Sequence, residues 1–306
     1  MGATAKPMKP GWPILLGFCF LLQAIPVQAA TIPDMLGRPV TIPDGPLRLV
    51  SLAPSLTEIV FALGRGDWLA GVTDFCDYPP AARSKPRVGG PVMPNLERIL
   101  ELRPSLVLTT GEGNPLETVA RLEQLGLRVF GVRPGSYAGV QASIEVLGHV
   151  LREEAGAARL VQDIQGRVAA VRRRVAGRPR PRVLFLVWAD PLIAAGAATF
   201  VHDLIDMAGG DNIVRERTVP YPRLSWEEVV GRAPEVILVA SHRDGAAPLP
   251  NGAAWNAWRS IPAVRSGRIL AVHGDTILRP GPRVVEGVER LARAIHPETV
   301  LPEDAR

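Results

Sequence analysis

Residues 137–176 read YAGVQASIEVLGHVLREEAGAARLVQDIQGRVAAVRRRVA, a stretch without proline in which apolar residues recur at the spacing of one helix face. The recurring positions are Val140, Ile144, Leu147, Val150, Leu151, Ala158, Val161, Ile164, Val168 and Val171. At about 1.5 Å per residue, one uninterrupted helix of this length spans more than about 50 Å, which is enough to join two lobes. The pattern therefore predicts a single long connecting helix over residues 138–177. A break at Gly156 that gives two helices is the alternative.

Short apolar runs alternate with helical patterns on both sides of this connector. The runs lie at 49–52, 69–73, 106–109 and 128–132 before it, and at 182–188, 236–240 and 268–272 after it. Short buried strands that alternate with helices are typical of parallel sheets covered by helices. We therefore predict two Rossmann-like α/β lobes, residues 47–137 and 178–306. A ligand cleft is expected between them, because sites prefer domain interfaces and the carboxyl ends of parallel strands.

The N-terminus has the pattern of a secretory signal peptide. Lys6 and Lys9 precede the apolar stretch 14–24, and small residues follow at the positions that a signal peptidase reads before Ala30. We expect residues 1–30 to be removed and the mature chain to be periplasmic; a retained N-terminal anchor is the alternative. Residues 31–46 then predict a leading β-hairpin.

Composition and motifs argue against several classes of protein. The net charge of +5 is dispersed along 306 residues, so we expect no nucleic-acid partner. Cys19 lies in the signal segment, so Cys76 is expected to be the one cysteine of the mature chain. One cysteine can form neither an internal disulfide nor a metal site made of several cysteines. There is no phosphate-binding lysine loop, nucleophile-elbow serine or H-x-x-x-H pair. We expect no enzymatic activity, no resident cofactor and no metal site; a two-lobed metal-dependent enzyme is the alternative.

Four aromatic residues fall at predicted strand ends or in loops of a chain that is only 5% aromatic. They are Phe75, Tyr78, Trp188 and Tyr221. Aromatic faces suit a large, flat, partly apolar ligand, so we predict that these residues line the cleft. Core packing is the alternative for Phe75 and Trp188.

Several motifs resemble the helical-backbone (class III) solute-binding proteins of ABC importers for cobalamin, ferric siderophores and haem. The first-lobe motifs are Arg48-Leu-Val-Ser-Leu-Ala-Pro-Ser-Leu-Thr-Glu58, Asp77-Tyr-Pro-Pro80, Asn95-Leu-Glu-Arg-Ile99 and Arg103-Pro-Ser-Leu-Val107. The second-lobe motifs are Phe200-x-x-Asp203-Leu-Ile-x-x-Ala-Gly-Gly-x-Asn-Ile213, Ser225-Trp-Glu-Glu-Val229 and Ala233-Pro-Glu-Val-Ile237. The resemblance covers about residues 47–297, and the ordered set is more specific than any single motif.

Within this family, residues 71–80 and 219–222 are most similar to the members that bind cobalamin. The resemblance implies capture of cobalamin or a related corrinoid as cargo, with Phe75 and Tyr221 in contact with the ring. It places the loop that holds Asp275, Thr276 and Arg279 beside them. Where those members have further cleft tryptophans, this chain has Pro91 and Thr110, and Trp188 is a neighbouring substitute. A ferric siderophore or haem is the alternative cargo.

The resemblance also implies a partner, the permease dimer of an importer with its ATPase subunits. Glu97 and Glu227, one on each lobe, match the acids that meet permease arginines in the family. The chain itself is expected to be a monomer. One alternative is that both acids are ordinary first-turn residues favoured by the helix dipole. Another is a sensor or adaptor subunit that keeps the fold but docks on a receptor.

Overall fold

The computed structural model describes residues 1–2, 30–241, 255 and 257–298. The predicted signal segment lies almost entirely outside these residues. In the part of the chain that is described, no helix is both long enough and apolar enough to cross a membrane.

The first lobe is built on a four-stranded sheet in which all strands are parallel. Its strands are β3 (Leu49–Ser51), β4 (Leu69–Val72), β5 (Leu106–Thr110) and β6 (Val129–Val132), in the spatial order β4-β3-β5-β6. Its helices are α1 (Pro54–Ala62), α2 (Leu96–Glu101) and α3 (Leu116–Gln124). The strands of this sheet are almost wholly buried, which explains their continuous apolar runs.

A β-hairpin of β1 (Ala30–Pro33) and β2 (Pro39–Ile42) precedes this sheet. Asp34 in its turn accepts hydrogen bonds from the backbone N–H groups of Leu36 and Arg38, at 2.9 and 2.8 Å. The same carboxylate accepts from the N–H of Gly131 in β6, at 3.1 Å. A buried carboxylate thus attaches the hairpin to the edge of the first sheet.

The second lobe has a five-stranded mixed sheet. Its strands are β7 (Arg182–Ala189), β8 (Leu192–Ala194), β9 (Asp211–Asn212), β10 (Val236–Ser241) and β11 (Ile269–His273), in the order β11-β10-β7-β8 with β9 also paired to β7. The described helices of this lobe are α6 (Phe200–Met207), α7 (Trp226–Arg232), α8 (Pro262–Arg265), α9 (Gly274–Leu278) and α10 (Val284–Ile295). The predicted parallel sheet is formed by β7, β9, β10 and β11, and β8 adds a strand that pairs with β7 in the antiparallel sense. Only the two residues Asp190 and Pro191 join these strands, and so short a connection permits only a hairpin.

The connector is two helices, α4 (Tyr137–Val150) and α5 (Glu154–Val175), so the prediction of a single long helix is wrong. The break lies at Arg152, whose φ of 58° is left-handed, and not at Gly156. The N–H of Glu153 closes the end of α4 by donating to the carbonyl of Gly148 at 2.7 Å. The reversal lets α4 and α5 bury their apolar faces against each other. Helical periodicity is the same for one helix or for two, which is why the pattern did not reveal the turn.

Helix α5 contacts both lobes. At its start Glu153 pairs with Arg65 of the first lobe at 2.6 Å, and at its end Val175 packs beside Gly209 of the second. One continuous apolar cluster includes inner-face residues of both sheets together with α1, α4, α5, α6 and α10. The two lobes therefore share a core and are not joined by a flexible linker.

The α4–α5 contact depends on Gly148. A Cβ atom at this position would lie 2.4 Å from the Cβ of Ala157. We expect Gly148→Leu to lower the free energy of unfolding by about 1–3 kcal/mol, because overpacking forces the helices apart. Gly166 on the exposed face of α5 has no neighbour within 4 Å. The control Gly166→Ala should instead raise stability by about 0.5–1 kcal/mol. Urea denaturation measures the free energy of unfolding of the two variants. Equal changes in this free energy would contradict the proposed packing at Gly148.

Candidate functional site

A cavity of about 700 Å³ lies between the lobes. The first lobe lines it with Ala53, Pro54, Ser55, Pro91, Thr110, Glu112, Gly113, Pro134 and Gly135. The second lobe lines it with Ala198, Thr199, Phe200, Pro220, Tyr221, Leu278, Arg279 and Pro280. Prolines and other apolar residues predominate, so the cleft offers mainly shape and apolar surface with a few polar groups.

The topology of the first sheet explains why these loops meet. The lining segments 53–55, 110–113 and 134–135 follow β3, β5 and β6, whose carboxyl ends lie at one edge of the parallel sheet. From the second lobe, Thr199 caps α6 and its hydroxyl accepts from the N–H of His202 at 3.3 Å. The rest of the second wall comes from the end of α9 and the segment around Tyr221. Strand-end loops are therefore the source of most of the first wall.

Glu112 and Tyr221 face the cleft from opposite lobes. The Glu112 carboxylate accepts a hydrogen bond from the backbone N–H of Gly135, and withdrawal from water raises its pKa. Withdrawal from water also raises the pKa of the Tyr221 phenol, and the nearby charge of Glu112 raises it further. The sequence analysis did not select Glu112 as a site residue. Its position in Gly111-Glu-Gly, directly after the central strand β5, was the available signal.

Beside the cleft, charged side chains join the lobes. Glu58 in α1 is 3% exposed and accepts from Arg283 at 2.9 Å (Nε to Oε2) and 2.6 Å (Nη2 to Oε1). Burial raises the pKa of Glu58, whereas Arg283 and Arg279 act in the opposite direction. Arg279 pairs with Asp77 at 2.6 Å and with Asp275 at 3.0 Å. We call these five residues the interlobe ion-pair network.

The predicted ligand residues divide between the cleft and its surroundings. Tyr221 and Arg279 line the cavity, as do Pro91 and Thr110. Asp275 does not line it and is paired with Arg279.

The other predicted ligand residues lie outside the cavity wall. Thr276 is buried, and its hydroxyl donates to the carbonyl of His273 at 3.3 Å. The Tyr78 ring lies 4.0 Å from the guanidinium of Arg283, a cation–π contact beside the network. Phe75 is half-exposed near Gly90, next to the lining residue Pro91. The indole N–H of the half-exposed Trp188 donates to the carbonyl of Asp190 at 2.6 Å.

Glu97 and Glu227 occupy equivalent positions on the two lobes. Each is exposed and is the second residue of a short helix, α2 or α7. Asn95 caps α2 by accepting from the N–H of Arg98, and Ser225 caps α7 in a capping box with Glu228. Both carboxylates are therefore held at the surface on rigidly capped helix starts.

The described residues contain no group of three or more His, Cys, Asp or Glu side chains arranged to hold a metal ion. Cys76 is buried, with its Sγ 3.1 Å from the hydroxyl of Thr73 and 3.2 Å from that of Thr57. Its surroundings are those of a packed side chain.

Two lobes that share a core and enclose a cleft are the architecture implied by the sequence motifs, and the family comparison agrees. Residues 49–276 match the model of a family described as periplasmic binding protein. The chain belongs to the periplasmic binding protein family. The family resemblance drawn from the motifs is thus confirmed.

This periplasmic binding protein is similar to the vitamin B12-binding protein of Vibrio cholerae, with 31% identity over 80% of this chain and 87% of that protein. Among solved structures it is similar to the periplasmic vitamin B12 binding protein BtuF of Vibrio cholerae. That similarity has a TM-score of 0.73 at 30% identity and covers 82% of this chain and 97% of the other. It is also similar to the periplasmic heme-binding protein RhuT from Roseiflexus sp. RS-1, with a TM-score of 0.72, 29% identity and coverages of 83% and 99%.

The buried pair Glu58–Arg283 generates a stability prediction. Glu58→Ala should lower the free energy of unfolding by roughly 3–5 kcal/mol, because it leaves a buried arginine without its partner. Glu101, which pairs with Arg98 at 2.8 Å on the exposed surface, is the matched control. Glu101→Ala should change the free energy by about 0–1 kcal/mol. Denaturant unfolding of both variants tests this, and a cost for Glu58→Ala as small as the control's would show that the pair is unimportant.

Proposed function

We propose that this periplasmic binding protein captures cobalamin or a related corrinoid and delivers it to the permease dimer of an ABC importer with its ATPase subunits. The proposal rests on one observation above all: a largely apolar cleft of about 700 Å³ whose walls come from both lobes. Its relatives give the class of cargo, since the chain is 31% identical to a protein named for vitamin B12 binding.

The cleft suits a ligand of this kind. Its volume falls within the range of about 300–1,000 Å³ that is usual for small-molecule sites. The Tyr221 ring offers a flat apolar face, and Thr110, Thr199 and Glu112 offer polar groups that orient a ligand. Phe75, Tyr78 and Trp188 lie outside the lining of the cavity. Phe75, beside the lining residue Pro91, and Tyr78 are proposed to contact the parts of a large ligand that extend beyond the cavity. Binding by buried area and aromatic contact requires no covalent step.

The remaining parts of the proposal concern setting and partners. The segment 1–30 directs the chain to the periplasm and is removed there. The mature protein acts as a monomer, has no enzymatic activity and needs no resident cofactor, because the metal belongs to its cargo. Asp275 is proposed to position Arg279 at the cleft through their ion pair, and Thr276 to support the start of α9 through its hydrogen bond to His273.

Haem is the second candidate cargo, and a specific observation favours it. A solved haem-binding protein resembles this chain as well as the cobalamin protein does, and Tyr221, which carries a phenol, lines the cleft. Tyrosine is a known axial ligand of haem iron. However, the raised pKa of the Tyr221 phenol disfavours the phenolate that iron would need. The electronic spectrum of a haemin complex distinguishes coordination from simple stacking.

Calorimetric titration of the mature chain with cyanocobalamin, haemin and a ferric siderophore tests the cargo. We expect saturable one-to-one binding of cyanocobalamin. Tight binding of haemin with an axial-ligand spectrum, and no heat with any corrinoid, would reject the corrinoid proposal in favour of haem.

The ring of Tyr221 should carry more of the affinity than its hydroxyl. Tyr221→Ala should weaken cyanocobalamin binding by roughly 10- to 100-fold, since a buried aromatic contact is lost. Tyr221→Phe is the matched control and should stay within about threefold of the wild type, because it keeps the apolar face. Phe75→Ala should have a smaller effect than Tyr221→Ala. Affinity unchanged in both alanine variants would contradict this cleft as the binding site.

Glu97 and Glu227 are proposed as the permease contacts, because two separated anionic points fix the orientation of docking. The double variant Glu97→Arg/Glu227→Arg should bind cyanocobalamin normally but support little uptake in proteoliposomes that contain the importer. A charge-matched control is Glu145→Arg/Asp163→Arg, at exposed positions of α4 and α5. Normal uptake with the first variant, or equal loss with the control, would reject the docking assignment.

A further inference from the structure

Two charged side chains are found among the described residues that line the cleft, Glu112 and Arg279. They come from opposite lobes, and their surroundings differ. The effective charge that a ligand meets depends on whether each of them is already neutralised by a neighbour.

Arg279 is neutralised within the protein. Its guanidinium lies 2.6 Å from Asp77, 3.0 Å from Asp275 and 3.8 Å from Glu58. Its side chain is only 13% exposed. Three acids therefore surround this one cation, and an anionic ligand would have to compete with them for it.

Glu112 has no comparable cation in the cleft. Its carboxylate accepts hydrogen bonds from the backbone N–H groups of Gly135 and of Glu112 itself, which are neutral donors, and the charge of Arg133 acts on it through space. Arg133 is exposed and does not line the cavity. Gly135 also makes room for this carboxylate, since a Cβ there would lie 2.7 Å from Oε1 of Glu112. The described lining therefore presents a net negative charge to its ligand.

The position of that charge matters as much as its sign. Glu112 lies close enough to Tyr221 for its charge to raise the pKa of the phenol across the cleft. A ligand held in this cleft would therefore have some of its peripheral substituents near the carboxylate. The chemistry of the ligand's edge substituents then determines whether the contact is favourable.

We infer that Glu112 determines specificity by favouring tetrapyrrole-like ligands whose edges carry neutral amides over those whose edges carry carboxylates. This inference rests on the proposed function and adds a basis for choosing between its cargoes. The amide N–H groups at the edge of a corrin ring can donate charge-assisted hydrogen bonds to Glu112. The propionates at the edge of haem would meet a like charge, which apolar walls screen poorly.

A pair of closely matched probes isolates this effect. Cyanocobalamin and its monocarboxylic acids share one ring system and differ by the conversion of a single edge amide into a carboxylate. At pH 8 the wild type should bind at least one acid isomer roughly tenfold or more weakly than the parent, as expected for loss of a hydrogen bond to a charged group. Glu112→Gln keeps the shape of the side chain and removes its charge. In this variant the ratio of the dissociation constant of that isomer to that of cyanocobalamin should be no more than about three.

The matched control is Glu117→Gln, an exposed glutamate of α3 that does not line the cleft. It should keep the wild-type ratio. Added salt should reduce the difference in affinity between cyanocobalamin and the acid isomer in the wild type. In Glu112→Gln the same difference should stay nearly unchanged. The same variant should also gain affinity for haemin relative to cyanocobalamin.

The possible failures are distinguishable. If the wild type binds cyanocobalamin but discriminates against no acid isomer, or if Glu112→Gln keeps the wild-type ratio, the inference about Glu112 is wrong and the proposed function stands. If the wild type binds no corrinoid, the proposed function is rejected and this inference with it.

Discussion

Apolar side chains from both sheets pack into one cluster around α1, α4, α5, α6 and α10. Separating the lobes would expose this cluster to water, which is the dominant cost in any large rearrangement of the fold. The shared core joins the lobes along one side of their interface. On the opposite side the strand-end loops of the two lobes face each other, and the cleft lies between them. The helical pair α4–α5 packs against helices of both lobes.

Charged groups add direction to this apolar contact. An apolar interface tolerates sliding, whereas Glu58 and Arg283 meet through two hydrogen bonds with defined geometry. Arg279 is held by acids from both lobes, Asp77 and Asp275, immediately beside the cavity. The network therefore has two consequences: it fixes the relative orientation of the lobes, and it occupies the one cationic side chain of the described cleft lining.

The character of the site follows from these two features. Proline-rich strand-end loops form rigid apolar walls, Tyr221 supplies an aromatic face, and Glu112 supplies a charge that Arg279 does not cancel. Members of this family share the frame but differ in named ligand, as the vitamin B12 and haem binding proteins among its structural relatives illustrate. The shared fold therefore does not by itself determine the ligand, which depends on the residues of the site.

Strand and helix periodicity and ordered motifs are local properties, so the two α/β lobes and the family were predictable from the amino-acid sequence. The side-chain caps of α2, α6 and α7, made by Asn95, Thr199 and Ser225, are local interactions of the same kind. Three features became clear from the folded chain: the connector turns back at Arg152, β8 pairs with β7 in the antiparallel sense, and Glu112 but not Trp188 is among the described residues that line the cleft. The turn depends on how α4 packs against α5, where Gly148 lies beside Ala157, and the lining depends on how loops of the two lobes meet. Helix and strand periodicity carries no information on such packing.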